Sequence, residues 1–170
     1  MLVVKKVCRS IIQSCLAEQG NHKDNQEALN KFKFYYLVKL GKNDFLNLCF
    51  LDNDEVKDIT KNGRRLENVA KTSMKLLENN DGILSSNWDL KKTIKTTIYT
   101  LKVSNLPSFL PLIIRDAKNG EQNHGSNYYI QDGNHRCLGY AIFLLRNPDK
   151  GFIEQESYLA TNYDLFNRID

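Results

Sequence analysis

The sequence predicts an α+β domain with mixed α/β content: a small mixed sheet with flanking helices, and an N-terminal helical and hairpin elaboration packed on a C-terminal core. Three observations support that expectation. Apolar residues recur at helical spacing near the N-terminus and again over residues 61–79. They alternate at strand spacing between residues 32 and 50. From Pro107 onward the chain reads strand, strand, glycine turn, helix, strand. A chain of 170 residues has room for one domain with a substantial core, or one domain with an appendage. The expected division is 1–90 for the elaboration and 91–170 for the core.

Val4, Val7, Cys8, Ile11, Ile12, Cys15 and Leu16 follow the i, i+3, i+4, i+7 rule, so the spacing predicts an amphipathic helix over 3–18. Cys8 and Cys15 then share one face and are read as packed thiols. Gly20 and Asn21 stop that helix. Asp24 with Glu27 has the spacing of a capping box and starts a short second helix. Phe32, Phe34, Tyr36, Val38 and Leu40 alternate, and so do Leu46, Leu48 and Phe50 beyond Gly41-Lys42-Asn43-Asp44, which predicts a β-hairpin. Leu66, Val69, Ala70, Ser73, Met74 and Leu77 line one face of a helix over 61–79, with Arg64, Arg65, Lys71 and Lys75 on its wet side. Residues 83–103 mix both patterns, and a helix from near Asp89 giving way to a strand near residue 97 is expected.

Pro111-Leu112-Ile113-Ile114-Arg115 is a short buried strand, and the polar stretch 116–127 is turn-rich. Tyr128-Tyr129-Ile130 is the next strand, broken by Asp132-Gly133. A helix follows from about Asn134 to Leu145, with Leu138, Ala141, Ile142 and Leu145 facing inward. Phe152 to Leu159 alternates as a last strand, and Asn162 to Arg168 is expected to add one helical turn.

The composition, 41% hydrophobic and 26% charged, is that of a packed globular chain rather than a disordered one. No run of about 18 apolar residues occurs, so no membrane partner is expected. The opening Met1-Leu2-Val3-Val4-Lys5-Lys6 lacks the order of a secretory signal. Four cysteines without CxxC spacing fit reduced thiols, which together place the chain in the cytoplasm. The net charge of +4 permits phosphate contacts but falls short of a dedicated nucleic-acid binder. Lys31 to Tyr35 interleaves basic and aromatic residues, a pattern that can stack bases but also arises when a strand has one apolar and one wet face. His124, His135 and Cys137 lack the spacing and fourth ligand of a metal centre, so no metal-ligating residue is assigned.

The chemistry concentrates in Tyr128-Tyr129-Ile130-Gln131-Asp132-Gly133-Asn134-His135-Arg136-Cys137. A strand there turns at a glycine into a helix N-terminus, where backbone N–H groups and the helix dipole favour an anion. Gly133 lets a ligand approach the backbone. Arg136 offers a planar fork to two phosphate oxygens, and His135 can donate to the same group or carry a proton near neutral pH. Asp132 can orient a hydroxyl, hold Mg²⁺ or position His135. The bland alternative is an ordinary Asp-Gly turn with a helix cap and a surface arginine. An interior turn, an arginine neutralised by the protein's own carboxylates and no adjoining cavity would together end the case for an anion seat.

Ile-x-Asp-Gly-Asn-His-Arg-x-x-x-x-Ala, preceded by Pro-Leu-Ile-Ile, resembles the signature of the ParB/sulfiredoxin-like superfamily, whose members include CTP-hydrolysing partition proteins, sulfiredoxin and free serine kinases. The resemblance covers residues 96 to 165, with Thr97 to Leu106 as the leading strand and loop; the first 90 residues show none. It implies that Asp132, His135 and Arg136 are catalytic and that Gly133, Asn134, His135 and Arg136 bind phosphate. It also implies a nucleotide partner, ATP, ADP or CTP, with Mg²⁺. Asn134 stands where sulfiredoxin has its catalytic cysteine, which excludes that thiol chemistry here. The Gly-Glu-Arg-Arg turn and the downstream helix-turn-helix of the partition proteins have no counterpart. The expected activity is a phosphotransferase or nucleotide hydrolase. The alternative is a non-catalytic module that docks nucleotide or nucleic-acid phosphate. Glu55, Glu154 and Glu156 are further carboxylates that could serve as base.

Overall fold

The computed structural model describes residues 1–18, 23–52, 56–79, 83–85, 88–89, 111–117 and 128–167. The fold is α+β: a five-stranded mixed sheet with helices on both faces and, among the described residues, six helices in all. The main sheet is built from β1 (Leu2–Lys6), β2 (Phe34–Leu40), β5 (Leu112–Asp116), β6 (Tyr128–Asp132) and β7 (Gln155–Thr161). A separate two-stranded sheet joins β3 (Ile83–Ser85) to β4 (Trp88–Asp89). The helices are α1 (Arg9–Glu18), α2 (Lys23–Leu29), α3 (Lys42–Leu46), α4 (Lys57–Thr60), α5 (Leu66–Glu78) and α6 (Asn134–Arg146). Strand order is β1-β2-β7-β5-β6. All neighbours are antiparallel except β5 and β7, which run parallel, with Ile113 beside Tyr158 and Ile114 beside Leu159. The chain therefore passes from β6 through α6 and returns on the far side of β5. Strands from residues 1–90 and from residues 91–170 share this one sheet.

Several sequence expectations are corrected. Residues 2–6 are an edge strand, not the first turns of a helix. Val3 and Val4 are β-branched, and pairing with β2 continues to Val7, whose N–H donates to the Tyr35 carbonyl at 2.9 Å. The helix begins only at Arg9, so Cys8 lies outside it and is exposed while Cys15 is buried. The expected hairpin of 32–50 is also absent. Asp44 accepts from the Gly41 N–H at 3.3 Å, and the Phe45 N–H donates to the Gly41 carbonyl at 2.9 Å. This pair of bonds starts a helix where a turn was expected, and β2 pairs instead with β7. Cys49 then lies along β6: its N–H donates to the Tyr128 carbonyl at 3.0 Å, and its carbonyl accepts from Ile130 at 2.8 Å. That contact covers part of the β6 edge of the sheet.

The helix expected over 61–79 begins at Leu66, because Gly63 at φ +116° ends a preceding short turn of helix. Asp89 lies in a strand rather than at a helix start. Residues 162–167 form bends, not a helical turn. The expected helix-to-strand stretch beyond Asp89, the leading strand at Thr97 to Leu106 and the turn-rich residues 118–127 lie outside the described residues. The strand at 111–115, the strand at 128 and the helix after Gly133 fall where the sequence places them.

Two cores form on the two faces of the sheet. Tyr36, Val38, Leu40, Leu112, Ile114, Ile130 and Leu159 point toward α5 and α6. Tyr35, Ile113 and Ala160 point the other way, toward Ile12, Leu16, Leu29 and Phe32. The alternation along each strand follows from the period of two. No helix among the described residues is long and apolar enough to cross a membrane.

Candidate functional site

The expected site is the junction of β6 and α6. Asp132 is the last residue of the strand, Gly133 the N-cap, and Asn134, His135 and Arg136 fill the first helical turn. Gly133 sits at φ +101°, ψ 17°, the left-handed region where a side chain is strained. A methyl group there would also lie 2.7 Å from Leu112 Cδ2 and 3.1 Å from an Arg136 guanidinium nitrogen. Two independent constraints thus require glycine. Its carbonyl accepts from the Cys137 N–H at 2.9 Å, closing the first helical bond. Having no side chain, Gly133 cannot cap the first-turn N–H groups, which in any helix lack intrahelical acceptors.

Arg136 reaches back four residues and donates to Asp132 Oδ2 at 3.1 Å. Both side chains are part-buried, with Arg136 24% and Asp132 19% exposed. The turn therefore lies at the surface and not in the interior, but its arginine is matched by the motif's own carboxylate. His135 is exposed. Asn134 is part-buried, and its Oδ1 is enclosed without a hydrogen-bond partner among the described residues. All five predicted site residues thus fall within one turn, as consecutive positions must.

The other sequence candidates lie elsewhere or outside the description. Glu154 faces Lys39 at 4.0 Å, and Glu156 is exposed on β7. Glu55 and His124 are outside the described residues. Cys137 is buried under the turn, and burial pushes its thiol up to about 12 despite the nearby Arg136 charge. Such a thiol is not a nucleophile. Phe32 and Tyr35 are buried in the smaller core, so they are not available to stack bases, while Lys31 and Lys33 point to solvent. Arg64 is paired with Asp52. Among the described residues no three His, Cys, Asp or Glu side chains converge as a metal centre.

Two features escaped the sequence. One is a buried polar chain under α2: Arg115 Nε donates to Gln131 Oε1 at 2.9 Å, and Gln131 Nε2 donates to Asn25 Oδ1 at 2.6 Å. The Arg115 guanidinium also lies 5.4 Å from the centre of the Tyr129 ring. A charged residue inside an otherwise apolar strand was the available signal. The other is a cavity of about 330 Å³ between α1 and the β5–β7 pair. Its signal was Ser10, Ser14 and Glu18, polar residues at every fourth position of a helix. No family model, curated protein or solved structure matches this chain.

Proposed function

We propose that the chain is a nucleotide-binding protein of the ParB/sulfiredoxin-like type, with the phosphates held by the turn Asp132 to Arg136. The supporting observation is the left-handed Gly133 at the start of a 13-residue helix, with a part-exposed guanidinium of Arg136 beside it. Backbone N–H groups, the helix dipole and a planar fork then act on one anion. One guanidinium nitrogen of Arg136 donates to Asp132 Oδ2. A phosphate group would compete for that nitrogen, and release of Asp132 would leave one carboxylate facing the phosphates. One carboxylate plus substrate phosphates suits Mg²⁺, so Asp132 is the residue that would hold it, and the ion would neutralise developing charge on the phosphates. The enclosed Asn134 Oδ1 is an acceptor that a ligand hydroxyl or an ordered water can satisfy. Phosphoryl transfer or nucleotide hydrolysis is the reaction class that such a turn serves, because it rests mainly on positioning and charge stabilisation. Asp132 is the carboxylate of the turn that would act as base, and His135 beside it can carry a proton.

A non-catalytic module is the second reading, favoured by one observation: the motif's carboxylate is tied to its own arginine. Thermal unfolding with ATP, ADP and CTP, each with and without Mg²⁺, tests both. A ligand at about 100 times its dissociation constant stabilises by about 2.7 kcal/mol. Arg136→Ala is expected to weaken nucleotide binding about tenfold or more, since it removes a charge-assisted fork. No nucleotide response in the native chain, or an unchanged response in Arg136→Ala, overturns the phosphate seat. Asp132→Asn separates the two readings. An enzyme binds nucleotide but loses turnover in that variant, whereas a module binds in both forms and turns over in neither.

A further inference from the structure

We propose that the cavity between α1 and the β5–β7 pair binds a small organic ammonium compound. This binding does not rest on the phosphate-binding turn.

The cavity measures about 330 Å³, the lower end of small-molecule pockets, so it suits a metabolite rather than a peptide or a cofactor. Ser10, Ser14 and Glu18 line it from successive turns of α1, with Ile11 beside them and Tyr158 and Pro111 opposite. Among the described residues of that lining, Glu18 carries a charge. Glu156, exposed two residues from Tyr158 on the same strand, adds a second carboxylate nearby. The phenol of Tyr158 registers this surrounding. Burial raises its pKa first, and Cys15, Glu156 and Glu18 raise it further. Carboxylates, an aromatic ring and two hydroxyls together select a cation with a short body and a hydroxyl.

The cavity lies on the α1 face of the sheet, where Tyr158 packs beside Ile12, Leu16, Ile113 and Ala160, whereas Leu112 and α6 lie on the opposite face.

Ligand-observed NMR titration of the whole chain with three matched probes tests the proposal: 4-aminobutan-1-ol, butane-1,4-diol and 4-hydroxybutyrate. The ammonium probe is expected to bind about fivefold tighter than the diol, the upper end of what a part-exposed ion pair supplies, and the carboxylate probe weakest. Glu18→Gln, a change on an exposed helix position, is expected to reduce that preference to less than about twofold. No saturable binding, equal binding of ammonium and diol, or a preference that survives Glu18→Gln overturns the cation site. Ammonium binding that obeys these rules supports the cation site whether ATP, ADP and CTP bind or not, and their failure to bind sinks the phosphate seat alone.

Discussion

The two faces of the sheet are built by different means. Toward α5 and α6 the strands present Tyr36, Val38, Ile114, Ile130 and Leu159 to a continuous apolar core, extended by the rings of Phe45, Tyr140 and Phe152 at centroid distances of 5.4 to 5.7 Å. Toward α1 and α2 the apolar cluster is smaller. It shares the face with the Arg115–Gln131–Asn25 chain and borders the cavity. Dispersion and area burial fix the first face; directed hydrogen bonds around a buried cation fix much of the second. The candidate turn lies at the end of β6, with Leu112 of the apolar face against Gly133.

Truncation on each face gives the largest expected contrast. Leu138 in α6 is fully buried among apolar neighbours, and Leu138→Ala is expected to cost about 4 kcal/mol through lost transfer energy and a cavity. Gln131→Ala removes the acceptor of the buried Arg115 Nε–H and is expected to cost about 2 kcal/mol. Urea unfolding measures both. Equal costs, or a larger one for Gln131, would show that the polar face contributes as much as the apolar one. Gln131→Leu sharpens the test: if the loss persists with the volume filled, it belongs to the unsatisfied guanidinium.

Gly133→Ala comes next, at about 2 kcal/mol for placing a side chain at positive φ. Contact with Leu112 Cδ2 adds to that, since the methyl group would approach within 2.7 Å. A double-mutant cycle with Leu112→Ala separates the two causes. The steric part is recovered in the double variant and appears as coupling, whereas the backbone part remains. An additive cycle would mean that Leu112 moves aside at no cost, and that the turn is less firmly seated on β5 than its packing implies.

How much of this was legible in the sequence depended on whether local or distant partners decide each element. The β6–Gly133–α6 unit was legible because one glycine, one strand and one helical period agree locally, and the structure keeps all three. The opening strand was misread because Val4 and Val7 fit a helical face, while the partner that makes the segment a strand lies some thirty residues away in β2. The false hairpin has the same origin. Leu46, Leu48 and Phe50 alternate, but Asp44 accepts from the Gly41 N–H and draws the segment into a helix. In the site, residue identity gave the turn but not the ion pair that occupies it. Asp132 and Arg136 at i, i+4 on a helix edge were in view, yet each was assigned to a ligand rather than to the other. The cavity needed two elements, α1 and β7, whose adjacency no local pattern encodes.

The smallest expected effect concerns two thiols on opposite sides of the same contrast. Cys8 is exposed before α1, its Sγ 3.0 Å from Ser10 Oγ. That hydrogen bond, followed by one from the Ile11 backbone, lowers its pKa from the ordinary value. Cys137 is buried beneath the turn, and burial raises its thiol from 9.0 to about 12. At neutral pH neither difference alters stability, but alkylation by iodoacetamide reads both. Cys8 is expected to label first, with a half-maximal rate at a pH below that of a free thiol, and Ser10→Ala is expected to move that pH upward. Cys137 is expected to label only through unfolding. The stability sign follows from its raised pKa. The folded state holds the proton more tightly, so the contribution is intact below about pH 9 and is lost as pH rises toward about 12. The stability advantage of the native chain over Cys137→Ser should therefore shrink above about pH 9. An advantage that stays constant to pH 10.5 (roughly the limit set by lysine titration) would place Cys137 in contact with water, and the turn above it would be looser than its 2.9 Å helical bond indicates.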